Sequence, residues 1–352
     1  MDDLGNVIGR IRGKGEAPTI MLASHLDVVD VGDPDDWEFP PFGGVIAGGY
    51  LHGRGAMDIK GPLAVQTYAA AHFVDDRPPG DLLVCYTVYE ERGGWGMLHL
   101  LEDAEVRPDL VVIGEATAGD ICIGHRGRAE IVVEIGGVAA HASAPERARN
   151  PLDALGDVLA ALRAFADGLP ADPILGASTL APTRVETHPR SNNVIPESVQ
   201  VTVDWRVLPG MTEARAVSEL QAFLDAAVAL PEDRSVSVRT AVERQRSYTG
   251  IEADRPLFRP GFLLSPEHPA VRAAVDVVKR KTGRAPRVRP WTFATDGAHA
   301  ALLGIPALGF APGEERYAHT NRERLELAQA RAVYEAYPDV IRALFEALRE
   351  VP

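Results

Sequence analysis

Hydrophobic and polar positions in the first third of the chain follow patterns that predict strands and helices in alternation. Short apolar runs rich in β-branched residues are typical of strands, as in NVIGRIR and TIMLASHLDVV. The Ala-rich apolar spacing of PLAVQTYAAAHFV indicates a helix with Pro62 in its first turn. A strand (DLLVCYTVYEE), a helix (GGWGMLHLLEDAE) and another strand (DLVVIGEAT) follow. This alternation predicts an α/β fold with a mostly parallel sheet.

The pattern changes near Gly127, where strands and helices follow the order β-α-β-β-α-β. That order is typical of the ferredoxin-like unit. A helix, a short strand and a terminal helix come afterwards, in HPAVRAAVDVVKRKTG, IPALGF and LAQARAVYEAYPDVIRALFEAL. We therefore expect residues 127–242 to form an inserted lid or dimerisation domain. Residues 1–126 and 243–352 would together form one catalytic domain.

Composition narrows the class of protein. A chain of 352 residues exceeds the usual size of one hydrophobic core, which agrees with two domains. The net charge of −14, with scattered basic residues, disfavours nucleic acid as a partner. We find no signal peptide and no membrane-spanning stretch, so we expect a cytoplasmic protein without a membrane partner. Cys85 and Cys122 lie in apolar runs and are expected to be buried free thiols, which leaves His and carboxylates as metal ligands.

Ionisable residues stand where apolar strands and glycine-rich turns end. His25 and Asp27 are two positions apart at the end of a predicted strand and should point to the same side. Asp27 could then hold one ring nitrogen of His25 and leave the other for a metal ion. Asp58 lies in GRGAMDIKG, where a carboxylate on a turn could bridge two cations. The GxG at Gly53 lacks the third glycine of a nucleotide-binding loop.

Further carboxylates and one histidine complete the candidate set. Glu90 and Glu91 close an apolar strand, so one could bind metal while the other accepts a proton from water. Glu115 ends the strand in VVIGEAT, and ligands of open α/β sheets bind at such strand ends. His319 lies in the polar loop PGEERYAHTNRE. Each of these residues, taken alone, could equally be an ordinary solvated side chain. Taken together, they favour a zinc pair bridged by a carboxylate.

These motifs resemble, in family order, those of the acetylornithine deacetylase, succinyl-diaminopimelate desuccinylase, aminoacylase and glutamate carboxypeptidase metallohydrolases. The matching blocks are SHLDVV, GRGAMDIKG, YEERGG, GEAT and AHTNRE. The resemblance implies a zinc-peptidase-like mixed sheet flanked by helices, and two Zn²⁺ per subunit, with Co²⁺ or Mn²⁺ as alternatives. It implies that His25 and Glu115 hold one metal, Glu91 and His319 the other, and Asp58 both, with Glu90 as general base and Asp27 behind His25. It also implies a cis peptide bond after Asp58.

The inserted domain carries residues that resemble those of the same family. The resemblance implies that His141 in GVAAHASAPE and Asn193 in SNNVIP reach the active site of the partner subunit in a homodimer. Arg206 in VDWRVLPG would clamp the substrate carboxylate, a task suited to its planar guanidinium. Thr295, Asp296 and Gly297 in WTFATDG match a segment near that carboxylate. A satisfied lid histidine and a surface ion-pair arginine are the alternatives for His141 and Arg206.

The resemblance implies a di-metal amidohydrolase that cleaves an N-acyl amino acid or a related carboxylate-bearing substrate. Its alternatives are a metallo-dipeptidase or carboxypeptidase acting on a dipeptide, and a non-catalytic metal-binding relative, which retention of Glu90 and every ligand disfavours. A serine hydrolase is disfavoured because no GxSxG elbow occurs. WTFATDG and GHRGRAEI are most similar to the selenium-metabolism-linked hydrolase branch, and GRGAMDIKGPLA also to desuccinylase-like deacylases. Family members usually carry helices before the first strand, so we expect exposed apolar surface here.

Overall fold

A computed structural model describes residues 1–15, 18–102, 106–229, 231 and 234–349. The strands within them are, in chain order, β1 Val7–Ile11, β2 Ile20–His25, β3 Val45–Ala47, β4 Tyr50–His52, β5 Leu82–Thr87, β6 Leu110–Ile113, β7 Ile121–Cys122, β8 Gly124–His125, β9 Arg128–Gly136, β10 Ala140–His141, β11 Ala171–Asp172, β12 Gly176–Ala177, β13 Thr179–His188, β14 Val194–Ile195, β15 Ser198–Arg206, β16 Ser235–Thr240, β17 Val242–Arg246, β18 Glu252–Pro256, β19 Phe258–Arg259, β20 Phe262–Leu263, β21 Val288–Arg289, β22 Ala307–Gly309 and β23 Arg324–Glu326. The α-helices are α1 Gly61–Ala71, α2 Trp95–Glu102, α3 Leu155–Asp167, α4 Glu213–Ala227, α5 Pro269–Thr282, α6 Gly297–Leu302 and α7 Leu327–Arg349.

The chain folds into two compact units. Unit 1 contains Met1–His125, Gln245–Ala253 and Phe262–Pro352. Its main sheet has the strand order β1-β5-β2-β6-β22-β7-β21. Strand β2 runs parallel to β5 and β6, and β22 runs parallel to β6, whereas the edge strand β1 is antiparallel to β5. The predicted mixed, mostly parallel sheet is confirmed.

Alternate residues of the central strands face two separate apolar cores. Ile20 and Leu22 of β2 pack on one face against a cluster that includes residues of α1, α5 and α7. Met21 and Ala23 face the opposite way and pack with residues of α2 and α6. Because both faces are covered by helices, the strands are apolar throughout, as their sequences predicted. Cys85 and Cys122 are buried free thiols, which confirms that prediction.

Unit 2 contains Arg126–Arg244 and Asp254–Gly261. Its antiparallel sheet has the order β13-β15-β9-β16, which is the strand order of the ferredoxin-like arrangement. Trp205 of β15 is fully buried with α3 and α4 in a separate core. The predicted β-α-β-β-α-β unit is therefore present.

Unit 2 extends beyond the predicted 127–242, because it also contains residue 126, residues 243–244 and Asp254–Gly261. We expected all of residues 243–352 to belong to the catalytic domain, but Asp254–Gly261 belongs to unit 2. The reason is strand pairing, because Phe258 and Arg259 of β19 pair with Ala129 and Arg128 of β9. The roles of the two units, as catalytic domain and lid, stay a prediction. Among the described residues, no helix is long and apolar enough to cross a membrane.

Candidate metal centre and active site

Three neighbouring strands of unit 1 bring ionisable side chains to one edge of the sheet. His25 is the last residue of β2, Glu90 and Glu91 follow β5, and Glu115 follows β6. The three strands are adjacent and parallel, in the order β5-β2-β6. Their carboxyl ends therefore meet, which is where ligands bind in such sheets.

The carboxylate of Asp58 lies between the two histidines. Its Oδ1 is 3.2 Å from Nε2 of His25, and its Oδ2 is 3.3 Å from Nε2 of His319. On the first side, His25 Nε2 is also 3.4 Å from Oε1 of Glu115. On the second side, His319 Nε2 is 3.0 Å from Oε2 of Glu91. The structure thus brings all five sequence-predicted ligands together, in the two groups that share Asp58.

The charges of this cluster strongly perturb its acid–base behaviour. Burial lowers the pKa of His25, but hydrogen bonds to Asp58 and Glu115 outweigh burial and hold the pKa well above its usual value. Hydrogen bonds to Asp58 and Glu91 raise the pKa of His319 to about 10. Burial raises the pKa of Glu115 to about 7 despite its contact with His25. Several buried carboxylates therefore lie close together and repel one another. Additional positive charge would stabilise this arrangement.

The residues fit a pair of divalent cations. Ligand atoms about 2.1 Å from one tetrahedral ion lie about 3.4 Å apart. The four contacts between the histidines and carboxylates span 3.0 to 3.4 Å. Imidazole nitrogen and carboxylate oxygen, without thiolate, suit zinc, cobalt or manganese. We conclude that the cluster can hold two such ions with Asp58 between them.

Glu90 lies within reach of the same cluster. Its carboxylate, with ligand atoms of His25 and Glu115, forms one group within 4.8 Å, and His25, Asp58 and Glu91 form another. The side chain of Glu90 is buried, with 5% of its surface exposed. This position suits a general base, and it also suits a ligand. The metal content of a Glu90 variant distinguishes these two roles.

Asp27 holds a ring nitrogen of His25, as predicted, but mainly through its backbone carbonyl. Nδ1 of His25 contacts the backbone carbonyl of Asp27 at 2.8 Å, whereas the Asp27 carboxylate is 3.7 Å away. A carbonyl can only accept, so Nδ1 carries the proton and Nε2 faces the carboxylates. The Asp27 carboxylate instead accepts the backbone N–H groups of Glu90 and Glu91, both at 3.1 Å. Asp27 therefore holds the turn that carries the paired glutamates.

Arg54 and Glu323 lie inside two of the motif blocks and had no predicted role. Oε1 of Glu323 accepts the backbone N–H groups of Met57 and Asp58, both at 3.0 Å. Its Oε2 is 2.6 Å from Nη1 of Arg54, and both side chains are buried. The peptide bond between Asp58 and Ile59 is cis, as predicted. Glu323 thus connects the block of the bridging aspartate to the block of His319.

Replacing Glu323 by alanine is expected to weaken both the fold and metal binding. The buried guanidinium of Arg54 loses its partner, which should lower the free energy of unfolding by about 3–5 kcal/mol. Denaturant unfolding and metal analysis measure the two effects. Glu335→Ala is the control, because its exposed ion pair with Arg331 should contribute under about 1 kcal/mol. Full metal occupancy in Glu323→Gln and in folded Glu323→Ala would contradict a positioning role.

The turn after β5 is shaped by its glycines and by two buried polar residues. Tyr89 has φ 60°, and Gly94 has φ 78°. A Cβ atom on Gly94 would lie 2.3 Å from Nε2 of His299 and 2.6 Å from Oδ1 of Asp296. Nε2 of His299 donates to the carbonyl of Gly93 at 3.0 Å. Only glycine at position 94 allows His299 and Asp296 to pack this closely against the turn that carries the paired glutamates.

Three residues of the segment WTFATDG are packed inside unit 1. Thr295 is fully buried, and its Oγ1 lies 3.2 Å from Nε2 of His125. Asp296 accepts from Thr87 at 2.8 Å, and Gly297 is packed against Phe262. Packing inside unit 1 covers Thr295 and Gly297, and their role in binding a substrate carboxylate stays a prediction.

The three predicted site residues of unit 2 contact other residues of the same unit. His141 and Asn193 are exposed and lie on neighbouring segments, since Ala142 N–H donates to the Asn193 carbonyl at 2.9 Å. Nδ1 of His141 is 2.7 Å from Oγ of Ser143. Nε of Arg206 donates to Asp204 at 2.7 Å. The roles of His141, Asn193 and Arg206 in binding or catalysis stay predictions.

Known proteins match this chain along most of its length. The family model described as Peptidase family M20/M25/M40 matches residues 21–343. Protein YgeY of Escherichia coli is 32% identical over 346 residues, covering 96% of this chain and 84% of the relative. The succinyl-diaminopimelate desuccinylase of Dinoroseobacter shibae is 31% identical over 356 residues, covering 97% of this chain and 88% of the relative.

Solved structures share the fold. The M20 family metallo-carboxypeptidase of Sulfolobus solfataricus has a TM-score of 0.72 at 18% identity, covering 96% of this chain and 87% of that chain. YxeP of Bacillus subtilis, a dinuclear metal binding peptidase, has a TM-score of 0.65 at 15% identity, covering 98% and 86%. The family match and the cluster of two histidines and three carboxylates around Asp58 both indicate a metal-dependent enzyme. This chain belongs to peptidase family M20/M25/M40 and is a metal-dependent hydrolase.

Proposed function

We propose that this protein is a zinc-dependent amidohydrolase that cleaves the amide bond of an N-acyl amino acid or a related carboxylate-bearing substrate. The observation that carries the proposal is the position of Asp58, whose two oxygens face His25 and His319. The desuccinylase relative, at 31% identity, supports a small N-acyl substrate. Hydrolysis would release the acyl group as a carboxylic acid and the amino acid as a free amine.

Residues of this chain supply the general base and hold it in position. When bound, divalent cations lower the pKa of water and polarise a carbonyl oxygen. Glu90 accepts the proton of the attacking water and later returns it to the leaving nitrogen. Asp27 keeps Glu90 in place through the backbone of the turn, at 3.1 Å. Burial of this edge of the sheet limits competing water around Glu90.

Metal analysis followed by an amide panel tests the proposal. We expect two equivalents of metal per chain, and hydrolysis of N-acetyl or N-succinyl amino acids that is lost on chelation and restored by Zn²⁺, Co²⁺ or Mn²⁺. The carboxypeptidase among the solved structures supports a second candidate, a dipeptidase or carboxypeptidase. Faster turnover of dipeptides than of every N-acyl amino acid favours that candidate. A metal-loaded protein that cleaves neither class contradicts both.

We also propose a homodimer formed through unit 2, in which His141 and Asn193 act at the partner's metal centre and Arg206 binds the substrate carboxylate. The support is the family resemblance and the exposure of both His141 and Asn193. A cytoplasmic location likewise stays a prediction, supported by the two buried free thiols.

Mixing two inactive variants tests whether His141 acts in trans. His141→Ala is expected to lose about 10²–10³-fold in kcat, because one oxyanion donor is removed. When His141→Ala and Glu90→Ala chains are mixed equally and exchange subunits, half of the dimers are mixed, and one of their two sites has both residues. Activity should therefore recover to about one quarter of wild type.

Two outcomes contradict this arrangement. No recovery in mixtures shown to contain mixed dimers means that His141 acts within its own chain, or not at all. Full turnover by a protein that sediments as a monomer removes the need for a partner. Arg147→Ala is the matched control, because Arg147 is an exposed residue of unit 2 near His141 in sequence and should leave kcat unchanged.

A further inference from the structure

Unit 1 contains a cavity of about 390 Å³ that lies outside the metal centre. It lies beside the end of α5, the first turns of α7 and the turn at Ala118. Phe310, Val333 and Ala332 provide apolar lining, and Arg284 and Arg287 line it with positive charge. No residue assigned above to the metal centre lines it. Its volume falls in the range of small-molecule sites, which are about 300–1,000 Å³.

The two arginines that line this cavity are held in place by the buried carboxylate of Asp120. Asp120 is fully buried and lies 3.1 Å from Nη2 of Arg284, 2.8 Å from Nη2 of Arg287 and 3.4 Å from Nε of Arg289. Arg289 also pairs with Glu315. Three guanidinium groups against two carboxylates leave one excess positive charge.

The two cavity arginines remain open to a ligand. Their side chains are 57% and 70% exposed, although each contacts Asp120. A guanidinium has five N–H donors, more than these contacts use, and it binds carboxylates well. Because Asp120 orients both groups beforehand, a ligand would lose less free energy in ordering them.

The backbone at the cavity is also unusual. Positive φ occurs at three non-glycine residues of the described chain, namely Tyr89, Ala118 and His319. Tyr89 precedes Glu90, and His319 belongs to the metal centre. Ala118, in contrast, lines this cavity. Its N–H donates to the carbonyl of Gly313 at 2.8 Å, which holds the turn in place. Such residues are concentrated at binding and active sites.

We propose that this cavity binds a small molecule with an apolar body and a single carboxylate. Arg284 and Arg287 bind the carboxylate, and Ala332 and Val333 contact the body. Glu314 also lines the cavity and carries negative charge, although it pairs with Arg316 at 2.7 Å. It disfavours a second negative charge on the ligand, such as that of a phosphate dianion. This site goes beyond the proposed function, because it requires none of the catalytic residues.

Titration calorimetry of the metal-loaded protein with 3-phenylpropionate tests the proposal. We expect saturable binding, at least tenfold weaker binding of 3-phenylpropylamine and of inorganic phosphate, and slower hydrogen exchange at residues 117–120 and 282–287. Arg284→Gln should weaken binding at least tenfold, while Arg287 still pairs with Asp120. Ala332→Phe should abolish it by filling the cavity without changing any charge, at an exposed position of α7.

Three results overturn the proposal. The first is no saturable binding by the wild-type protein. The second is equal affinity in wild type and Ala332→Phe, with exchange slowed only at the metal-centre segments, because the probe then binds there. The third is phosphate binding as tight as carboxylate binding, which contradicts a site for a single negative charge. Amide hydrolysis is measured separately in each variant and is expected to be unchanged.

Discussion

Replacing Glu90 by alanine is expected to reduce kcat by about 10²–10⁴-fold, the usual contribution of a general base, while both metal ions stay bound. The reason is that the two groups sharing Asp58 are complete without Glu90, since His25 contacts Glu115 and His319 contacts Glu91. Removing one of several crowded carboxylates also relieves repulsion. Steady-state kinetics and metal analysis of the same preparation measure both quantities.

The neighbouring glutamate provides a matched control for this prediction. Glu91→Ala should lose metal together with activity, because Glu91 contacts His319 at 3.0 Å. The two residues are adjacent and on the same turn, so a general disturbance of the turn would affect both variants alike. If Glu90→Ala loses metal as Glu91→Ala does, Glu90 is a ligand and the base is another group.

Replacing Asp58 by alanine should have the largest effect on metal binding. Asp58 is the residue whose carboxylate contacts both histidines, at 3.2 and 3.3 Å, so its loss removes a ligand from both ions. We expect less than one metal equivalent to remain per chain and kcat to fall by at least about 10³-fold, since bound metal contributes several kcal/mol. Inductively coupled plasma analysis and kinetics provide the test.

Two further variants make the Asp58 result specific. Asp58→Asn keeps the shape and one oxygen but loses the charge, so it should retain more metal than Asp58→Ala and less than wild type. Asp75→Ala removes an exposed acid from the same unit and should change neither quantity. Two metal equivalents in Asp58→Ala would show that Asp58 does not bridge, and the assignment of the centre would be wrong.

Local pattern and the family resemblance were enough to select five candidate ligands that the structure brings together. His25 and Glu115 end apolar strands, and the parallel strands of an α/β sheet bring their carboxyl ends to one edge. Asp58 lies in a glycine-rich turn, which the sequence analysis recognised. The helices and the ferredoxin-like order of unit 2 also followed from periodicity. Each of these features depends on residues close together in the chain.

Other features depend on contacts between residues far apart in sequence. Glu323 contacts Arg54 across 269 positions, and no local pattern indicates that this acid is buried beside the bridging aspartate. The strand at Phe258 pairs with β9 in unit 2, although the segments on both sides of Asp254–Gly261 belong to unit 1. Periodicity reports which face of an element is apolar, but it does not report the partner of that face.

The sequence by itself determined the chemistry of the centre, because the ligand types and their places at strand ends are written in short motifs. Only the tertiary structure decided which oxygen or nitrogen each side chain meets. It assigned the Asp27 carboxylate to the backbone of the paired glutamates and packed Thr295 and Gly297 inside unit 1. The physical reason is that burial and hydrogen-bond direction arise from long-range packing, which a linear pattern does not contain.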